Sequence, residues 1–252
     1  MSESLQKFLA SAGKSAKSFL LDLIFPRHCV SCGKPNPKGV YEYLCQDCAD
    51  GVFSHQLNRC KRCSEIVGGD VPVRRCAKCE GQNFNFEESR VVCEYADAGR
   101  DLILELKYKG GVWVASDMAK MCEKLADFDE YFRDAFLVPV PIHSSRKLKR
   151  GYNQSEKIAR AICENFKHLN LHLAEILKRV KPTPTETLLS RQDRAENVKN
   201  AFKIVANNVP KDANIIVLDD VMTSGATLNE CARVLKRSGF ENVRAFAFAR
   251  RS

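Results

Sequence analysis

The sequence predicts an α/β fold, a mostly parallel sheet flanked by helices, preceded by a small cysteine-rich module and an N-terminal amphipathic helix. Three observations carry this. From about residue 89 onward, short apolar runs alternate with helical periodicity, the pattern of βαβ units. Eight of the 12 cysteines fall between Cys29 and Cys79. Residues 3–24 place apolar side chains at three- and four-residue spacings.

In that first segment Leu5, Phe8, Leu9, Ala12, Ala16, Phe19, Leu20 and Leu23 share one face, and Pro26 ends the helix. The face is expected to pack on the protein's own body. Peripheral contact with the inner membrane is the sharper alternative, although the polar face is only weakly basic. Lys7, Lys14, Lys17 and Asp22 interrupt the apolar stretch, so it reads neither as a secretory h-region nor as a span. No apolar run reaches the roughly 18 residues an integral membrane segment needs. A cytoplasmic protein is expected. The net charge of +9 suits phosphate-bearing ligands or nucleic acid, or simply a solvated basic surface.

Residues 27–80 are short, polar and rich in Cys, Gly and Pro, with no long periodic element. Such a segment cannot bury a sizeable core, so something else must hold it. The texture changes near residues 81–86, which divides the chain into residues 1–25, 26–82 and 83–252. Beyond that point strands are expected over 89–95, 135–140, 174–180, 201–205, 215–218 and 243–249. Helices are expected over 101–108, 114–125, 153–166, 187–198 and 226–237.

The cysteines form four C-x-x-C pairs: Cys29/Cys32, Cys45/Cys48, Cys60/Cys63 and Cys76/Cys79. The second set repeats the first with an offset of 31 residues. A two-residue gap lets two thiolates converge on one metal from a tight turn, and a second pair completes a tetrahedron. Two structural Zn²⁺ sites follow, with an iron–sulfur cluster the minor alternative. Four thiolates leave no open coordination position, so catalysis at the metal is not expected. One metal per repeat is the simple assignment, and an interleaved cross-brace pairing the first and third doublets is left open by the spacing. His28 and His55 read as surface histidines. Arg59, Lys61, Arg62, Arg74, Arg75 and Lys78 interleave with the second repeat, as phosphate-contacting groups or as a solvated face.

The segment 215–227 carries the most chemistry. Ile215, Ile216, Val217 and Leu218 fit a strand buried on both faces. Asp219 and Asp220 follow where the strand leaves the sheet, and paired acids suit a sugar diol. Val221, Met222, Thr223, Ser224, Gly225, Ala226 and Thr227 lead into a helix, whose first N–H groups and hydroxyls make an anion site. Gly225 lets the backbone approach a phosphate with no Cβ in the way. The stretch therefore reads as a 5-phosphoribose site at the carboxyl end of a strand. The basic loop with Arg146, Lys147 and Arg150 would hold an anionic pyrophosphate.

This stretch resembles the thirteen-residue motif of type I phosphoribosyltransferases, which bind phosphoribosyl pyrophosphate (PRPP). The resemblance implies that Asp219 and Asp220 take the ribose hydroxyls and residues 223–227 the phosphate. Val138-Pro139-Val140-Pro141-Ile142-His143, Arg146, Lys147 and Arg150-Gly151-Tyr152-Asn153-Gln154-Ser155-Glu156 resemble the signature of the ComF competence family. So do Leu106-Lys107-Tyr108-Lys109-Gly110, the set Arg191, Arg194, Asn197, Ala201 and Phe202, and the C-x-x-C pairs. The chain departs from the family's frequent Gln at Glu186. The resemblance implies a type I phosphoribosyltransferase-like domain behind a double zinc ribbon, a role in DNA uptake, and Mg²⁺ bound with PRPP. As partners it implies single-stranded DNA and the competence helicase machinery. The enzymatic expectation is displacement at C1 of the ribose, with an acceptor the sequence does not name. The alternative is a non-catalytic single-stranded DNA-binding protein that keeps the pocket as a regulatory or nucleotide site.

Overall fold

Ile215, Ile216, Val217 and Leu218 are all fully buried, as a strand covered on both faces requires. A computed structural model describes residues 27–36, 39–53, 58–68, 75–182, 196–206 and 208–251. The helix expected over 3–24, His55, Arg74, Glu186, Arg191, Arg194 and most of the helix expected over 187–198 lie outside the described residues.

The elements run α1 (Gln46–Phe53), β1 (Ser89–Glu94), α2 (Asp97–Tyr108), α3 (Val114–Met121), α4 (Phe128–Phe132), β2 (Ala135–Pro139), α5 (Ser144–Arg150), α6 (Gln154–Asn165), β3 (His172–Leu173), β4 (Leu177–Arg179), β5 (Phe202–Ile204), β6 (Asn214–Met222), α7 (Ala226–Arg237) and β7 (Asn242–Arg250). Five strands form one sheet in the order β1-β7-β6-β2-β3, every pair parallel. Strands β4 and β5 pair antiparallel in a separate sheet, so the runs near 177 and 202 do not join the parallel one. Both are only three residues long.

Period-two alternation sends successive side chains of a strand to opposite faces. Ile216 and Leu218 of β6 and Phe246 and Phe248 of β7 join one core with Leu102 and Leu106 of α2, Met118 of α3 and Ile158 and Ile162 of α6. Ile215 and Val217 with Val243, Ala245 and Ala247 join a second core with Leu228, Cys231 and Leu235 of α7. The sheet is thus a filling between two apolar layers.

The duplicated cysteine module divides between these layers. Cys29, Tyr41, Leu44 and Ala49 of the first repeat pack into the α2/α3/α6 core. Cys60, Cys63 and Cys79 of the second, with Phe84 and Phe86, pack into the α7 core. The first repeat also contains an eight-residue helix, α1, that sequence periodicity does not reveal.

Three other differences from the sequence expectations have physical causes. Helix α2 begins at Asp97, four residues early, and buries Ala98 and Gly99, whose small size hides them from hydrophobic periodicity. Strand β6 continues through the acid pair to Met222 because β7 pairs with it throughout, up to Met222 opposite Arg250. Residues 146–150 are not a loop but part of α5. His143 caps the helix, its side chain accepting from Ser145 N–H, and Gly151 closes it at φ 84°. With no buried residue in α5, no apolar stripe announces this helix. Its signals are the caps alone. Among the described residues no helix is long and apolar enough to cross a membrane.

Candidate functional site

Strand β2 stops pairing with β6 at Pro139 opposite Leu218, with one further bond from Val140 N–H to Leu218 C=O (2.8 Å). Beyond Leu218, β6 is covered by β7 on one side only. The chain leaves β6 toward β7 and leaves β2 toward β3, so their carboxyl ends flank a topological switch point, where open α/β sheets bind ligands. A cavity of about 570 Å³ opens there, lined by Asp219, Asp220, Val221, Met222, Thr223, Gly225, Ala226 and Thr227. Ser224 is not in the wall. Its Oγ accepts from Ala226 N–H (3.4 Å) at the start of α7.

Because the acids remain in a strand, alternation aims them apart. Asp220 shares the side of Ile216 and Leu218, facing α2, where Lys107 Nζ lies 2.8 Å from its Oδ1. Asp219 accepts from Ser155 Oγ at the start of α6 (2.9 Å) and from Asp220 N–H (2.9 Å), both on Oδ1. Burial, then the neighbouring Asp220 charge, pushes the Asp219 carboxyl up to about 7. Lys107 and the two hydrogen bonds pull it the other way. Burial would lower the Lys107 ammonium, but Asp220 and then Asp219 raise it overall, so it stays charged.

Gly225 has φ 78°, and a Cβ there would come within 2.8 Å of Met222 Cε and 3.3 Å of Phe84 Cε1. The residue is glycine for both reasons: the left-handed backbone and the close packing. It opens the 12-residue helix α7, whose first N–H groups face the cavity end of the strand.

Of the basic residues expected from sequence, Arg146 and Arg150 line the cavity and Lys147 does not. Lys149 lines it instead. The helical conformation decides this: residues 146, 149 and 150 share a face at i, i+3 and i+4, and residue 147 turns away. Also in the wall are Lys107, Tyr108, Tyr152 and Ser155, which belong to the two signature segments but carry no expected role, and Tyr95, Arg179 and Arg251. Arg150 stacks over the Tyr108 ring (5.4 Å) and Arg251 over Tyr95 (5.8 Å). No sequence pattern points to Tyr95 or Arg251. They reach the cavity because β7 ends beside β6 and β1 ends beside β7.

The cysteines resolve into two sequential tetrads, Cys29/Cys32/Cys45/Cys48 and Cys60/Cys63/Cys76/Cys79, each with all sulfurs within 4.8 Å of one another. This settles the pairing left open by spacing: one metal per repeat, not interleaved. A tetrahedral site with Zn–S bonds of about 2.3 Å has S···S edges of about 3.8 Å. Cys32 and Cys45 are 3.6 Å apart, Cys63 and Cys76 3.6 Å, Cys60 and Cys79 3.7 Å. The donors fit structural Zn²⁺. Several basic residues beside the second tetrad are committed internally. Arg59 pairs with Glu94 (2.7 Å), Lys78 pairs with Glu65 (2.6 Å), and Arg62 donates to the carbonyls of Phe84 and Glu87.

Comparison with known families agrees with both halves. The double zinc ribbon domain model matches residues 20–80, and the phosphoribosyl transferase domain model matches residues 148–252. The class is thus a double zinc ribbon joined to a phosphoribosyltransferase-like domain. "Competence protein F" of Haemophilus influenzae is 27% identical over 237 residues, covering 90% of this chain and 98% of its own. "DNA utilization protein YhgH" of Salmonella typhi is 28% identical over 217 residues, covering 82% and 90%. "Competence protein ComFC" of Streptococcus pneumoniae is 25% identical over 222 residues, covering 82% and 87%. These relatives and the two domain models together support the ComF competence family. Among solved structures, a hypoxanthine phosphoribosyltransferase from Staphylococcus aureus aligns with 52% of this chain and 61% of its own at 13% identity, with a TM-score of 0.30. That similarity is too low to carry any part of the argument.

Proposed function

We propose that the protein binds Mg²⁺-complexed PRPP in the 570 Å³ cavity and transfers its phosphoribosyl group, in a role linked to DNA uptake. One observation carries the reading. An acid pair, a glycine-opened helix start and a face of Arg146, Lys149 and Arg150 converge on a single cavity at the sheet's switch point. Asp219 and Asp220 accept from the ribose hydroxyls. Thr223, Gly225, Ala226 and Thr227 receive the 5-phosphate. The basic face of α5 takes the pyrophosphate, with Lys149 in the place expected for Lys147. Mg²⁺ arrives as part of the substrate, neutralising its pyrophosphate. Displacement at C1 proceeds through an oxocarbenium-like transition state, and the arginines stabilise the charge developing on the leaving group. Tyr95 and Tyr108, each under an arginine, offer aromatic faces to a planar acceptor. The unit that does this spans residues 83–252, with residues 26–82 as its zinc-bound support.

Calorimetry with Mg²⁺-PRPP tests the site. Wild type is expected to bind, and Asp219→Asn/Asp220→Asn to lose at least about tenfold in affinity, the size of one charge-assisted contact. Equal heats from both proteins remove the ribose assignment. Pyrophosphate release from PRPP, screened against bases and oligonucleotides, then identifies the acceptor. A second reading has its own observation. Trp113 (46% exposed) and Tyr108 (69%) present rings beside Lys109 and Arg150, the aromatic-and-basic combination that single-stranded nucleic acid stacks on. PRPP binding with no release against any acceptor, plus salt-sensitive oligonucleotide binding, favours that non-catalytic reading.

A further inference from the structure

The two signature segments, Leu106–Gly110 and Arg150–Glu156, are only partly absorbed by ligand binding. Lys107 and Ser155 touch the acid pair rather than serving the ligand from the cavity's rim. Tyr152 Oη donates to the Leu106 carbonyl and so ties the second segment to the last turn of α2. Asn153 Nδ2 donates to Val140 C=O (3.0 Å), and its Oδ1 caps α6 by accepting from Ser155 N–H (3.2 Å). The same helix start carries the Ser155 hydroxyl that donates to Asp219. Helix α2 ends immediately after Lys107, at the Gly110-Gly111 turn. Gly110 has φ 77°, and a Cβ on Gly111 would come within 2.5 Å of Glu105 Cγ. The turn, the Tyr152 bond and the fully buried Leu106 together fix where Lys107 stands.

Resting on the PRPP reading of the cavity, we infer that Lys107 is the positioning residue of the acid pair. Its ammonium holds Asp220 Oδ1 while Ser155 holds Asp219 Oδ1. Each carboxylate then has one oxygen anchored. Among the described residues the other oxygen makes no hydrogen bond or ion pair and is available to a ribose hydroxyl. Two adjacent carboxylates repel, and without a fixed cation each would turn more freely or take up a proton. A lysine built into α2 removes that freedom before any ligand arrives, so the site is preorganised rather than assembled by its substrate. The groups bearing on the pair are Lys107 of α2, Ser155 of α6 and Cys231 of α7.

The test uses the full-length, zinc-loaded protein with Lys107→Met, Lys107→Gln and Lys107→Arg. Binding of Mg²⁺-PRPP is measured by calorimetry, and the Asp219 carboxyl is titrated by ¹³C NMR without ligand. Lys107→Met and Lys107→Gln are expected to lose about tenfold in affinity, the worth of one charge-assisted hydrogen bond, and Lys107→Arg to recover most of it. In the first two variants the Asp219 midpoint is expected to rise, because a cation that favoured the charged form is gone. A lysine that served only by packing, with its charge screened from the pair, would leave that midpoint unmoved. Unchanged affinity in Lys107→Met overturns the inference, and so does an unmoved Asp219 midpoint in a folded variant. If wild type fails to bind PRPP, the proposed function falls and the titration alone decides the inference: a rise supports it and no rise overturns it. Should Lys107→Met not fold, the near-isosteric Lys107→Gln carries both readouts.

Discussion

The two zinc ribbons repeat the same metal chemistry in the same register, yet they dock on opposite faces of the sheet by different means. The first sits on α2 and α3. Asp117, with no exposed surface, accepts from the N–H groups of Glu42 (2.8 Å) and Tyr43 (2.7 Å), and Ser31 donates to Asp101 (2.7 Å). The second sits on β1, β7 and α7. Arg250, almost fully buried, donates to Cys63 C=O (2.5 Å) and Glu65 (2.6 Å), while Asn229 of α7 accepts from Asn85 N–H (2.6 Å). Each ribbon backs the cavity from its own side, and none of its described residues lines it. The first supports α2, which carries Lys107. The second sets Phe84 against Gly225 and Met222. Duplication has therefore supplied one brace for the acid pair and one for the glycine-opened start of α7, and the difference lies in the docking residues rather than in the cysteines.

The largest effect should come from the metals. Zinc binding supplies on the order of 10 kcal/mol of folding free energy to a ribbon of this kind. Chelation is expected to open both tetrads to thiol labelling and proteolysis. Cys63→Ser should weaken Mg²⁺-PRPP binding more than Cys32→Ser, since Cys63 is buried in the core that backs residues 222–228 and Cys32 is exposed. Calorimetry on the two variants decides the point, and equal losses would collapse the distinction between the ribbons.

Next in size is the buried pair. Glu65→Ala leaves Arg250 buried without its carboxylate and is expected to cost about 3–5 kcal/mol in denaturant unfolding. The pH signs of the two docking carboxylates are opposite. For Glu65, burial is outweighed by Lys78 and Arg250, which lower its pKa. Its stabilisation is thus present above the ordinary glutamate range and lost as pH falls through the depressed value. For Asp117, burial raises the pKa against the pull of two backbone N–H groups. Its linkage favours the folded state below the ordinary aspartate range, and that contribution is lost as pH rises through the raised value. Glu65→Gln should therefore flatten the acid limb of the stability profile. An acid limb as steep as wild type's would show that the second ribbon is not held by this pair.

The smallest effect is expected at Tyr43, whose ring meets Trp113 at 5.8 Å. Tyr43→Ala should cost about 1 kcal/mol beyond its lost buried area and leave PRPP affinity within about twofold of wild type. Phe84→Ala, where Arg62 of the second ribbon holds the chain against Gly225, should lower that affinity more at similar stability cost. Parallel melting curves and titrations of these two variants sharpen which ribbon supports the start of α7.

Local patterns in the chain account for much of this arrangement. The apolar run 215–218, the acid pair and Thr-Ser-Gly-Ala-Thr specify a strand, a turn and a helix start through local chemistry alone. The C-x-x-C register specifies two tetrads. Where sequence patterns mislead, one cause is local and one is not. Helix α5 buries no side chain, so only its caps betray it, and treating it as a loop puts Lys147 where Lys149 stands. The acids look like the end of a strand because charge usually marks a strand's exit from the core. Here β7 keeps pairing with that stretch after β2 has stopped.

The sequence by itself determined the chemistry: eight thiolates in two repeats, two acids at the end of a buried strand, and a glycine at a helix start. These are short-range patterns, and residue type and spacing suffice to state them. Only the tertiary structure decided which cation meets which acid, which basic residues share a face, and that the two ribbons brace opposite sides of one cavity. Lys107 and Asp220, or Phe84 and Gly225, stand more than a hundred residues apart in the chain. Their meeting depends on strand order and on the alternation of side chains across the sheet, and no local spacing encodes either.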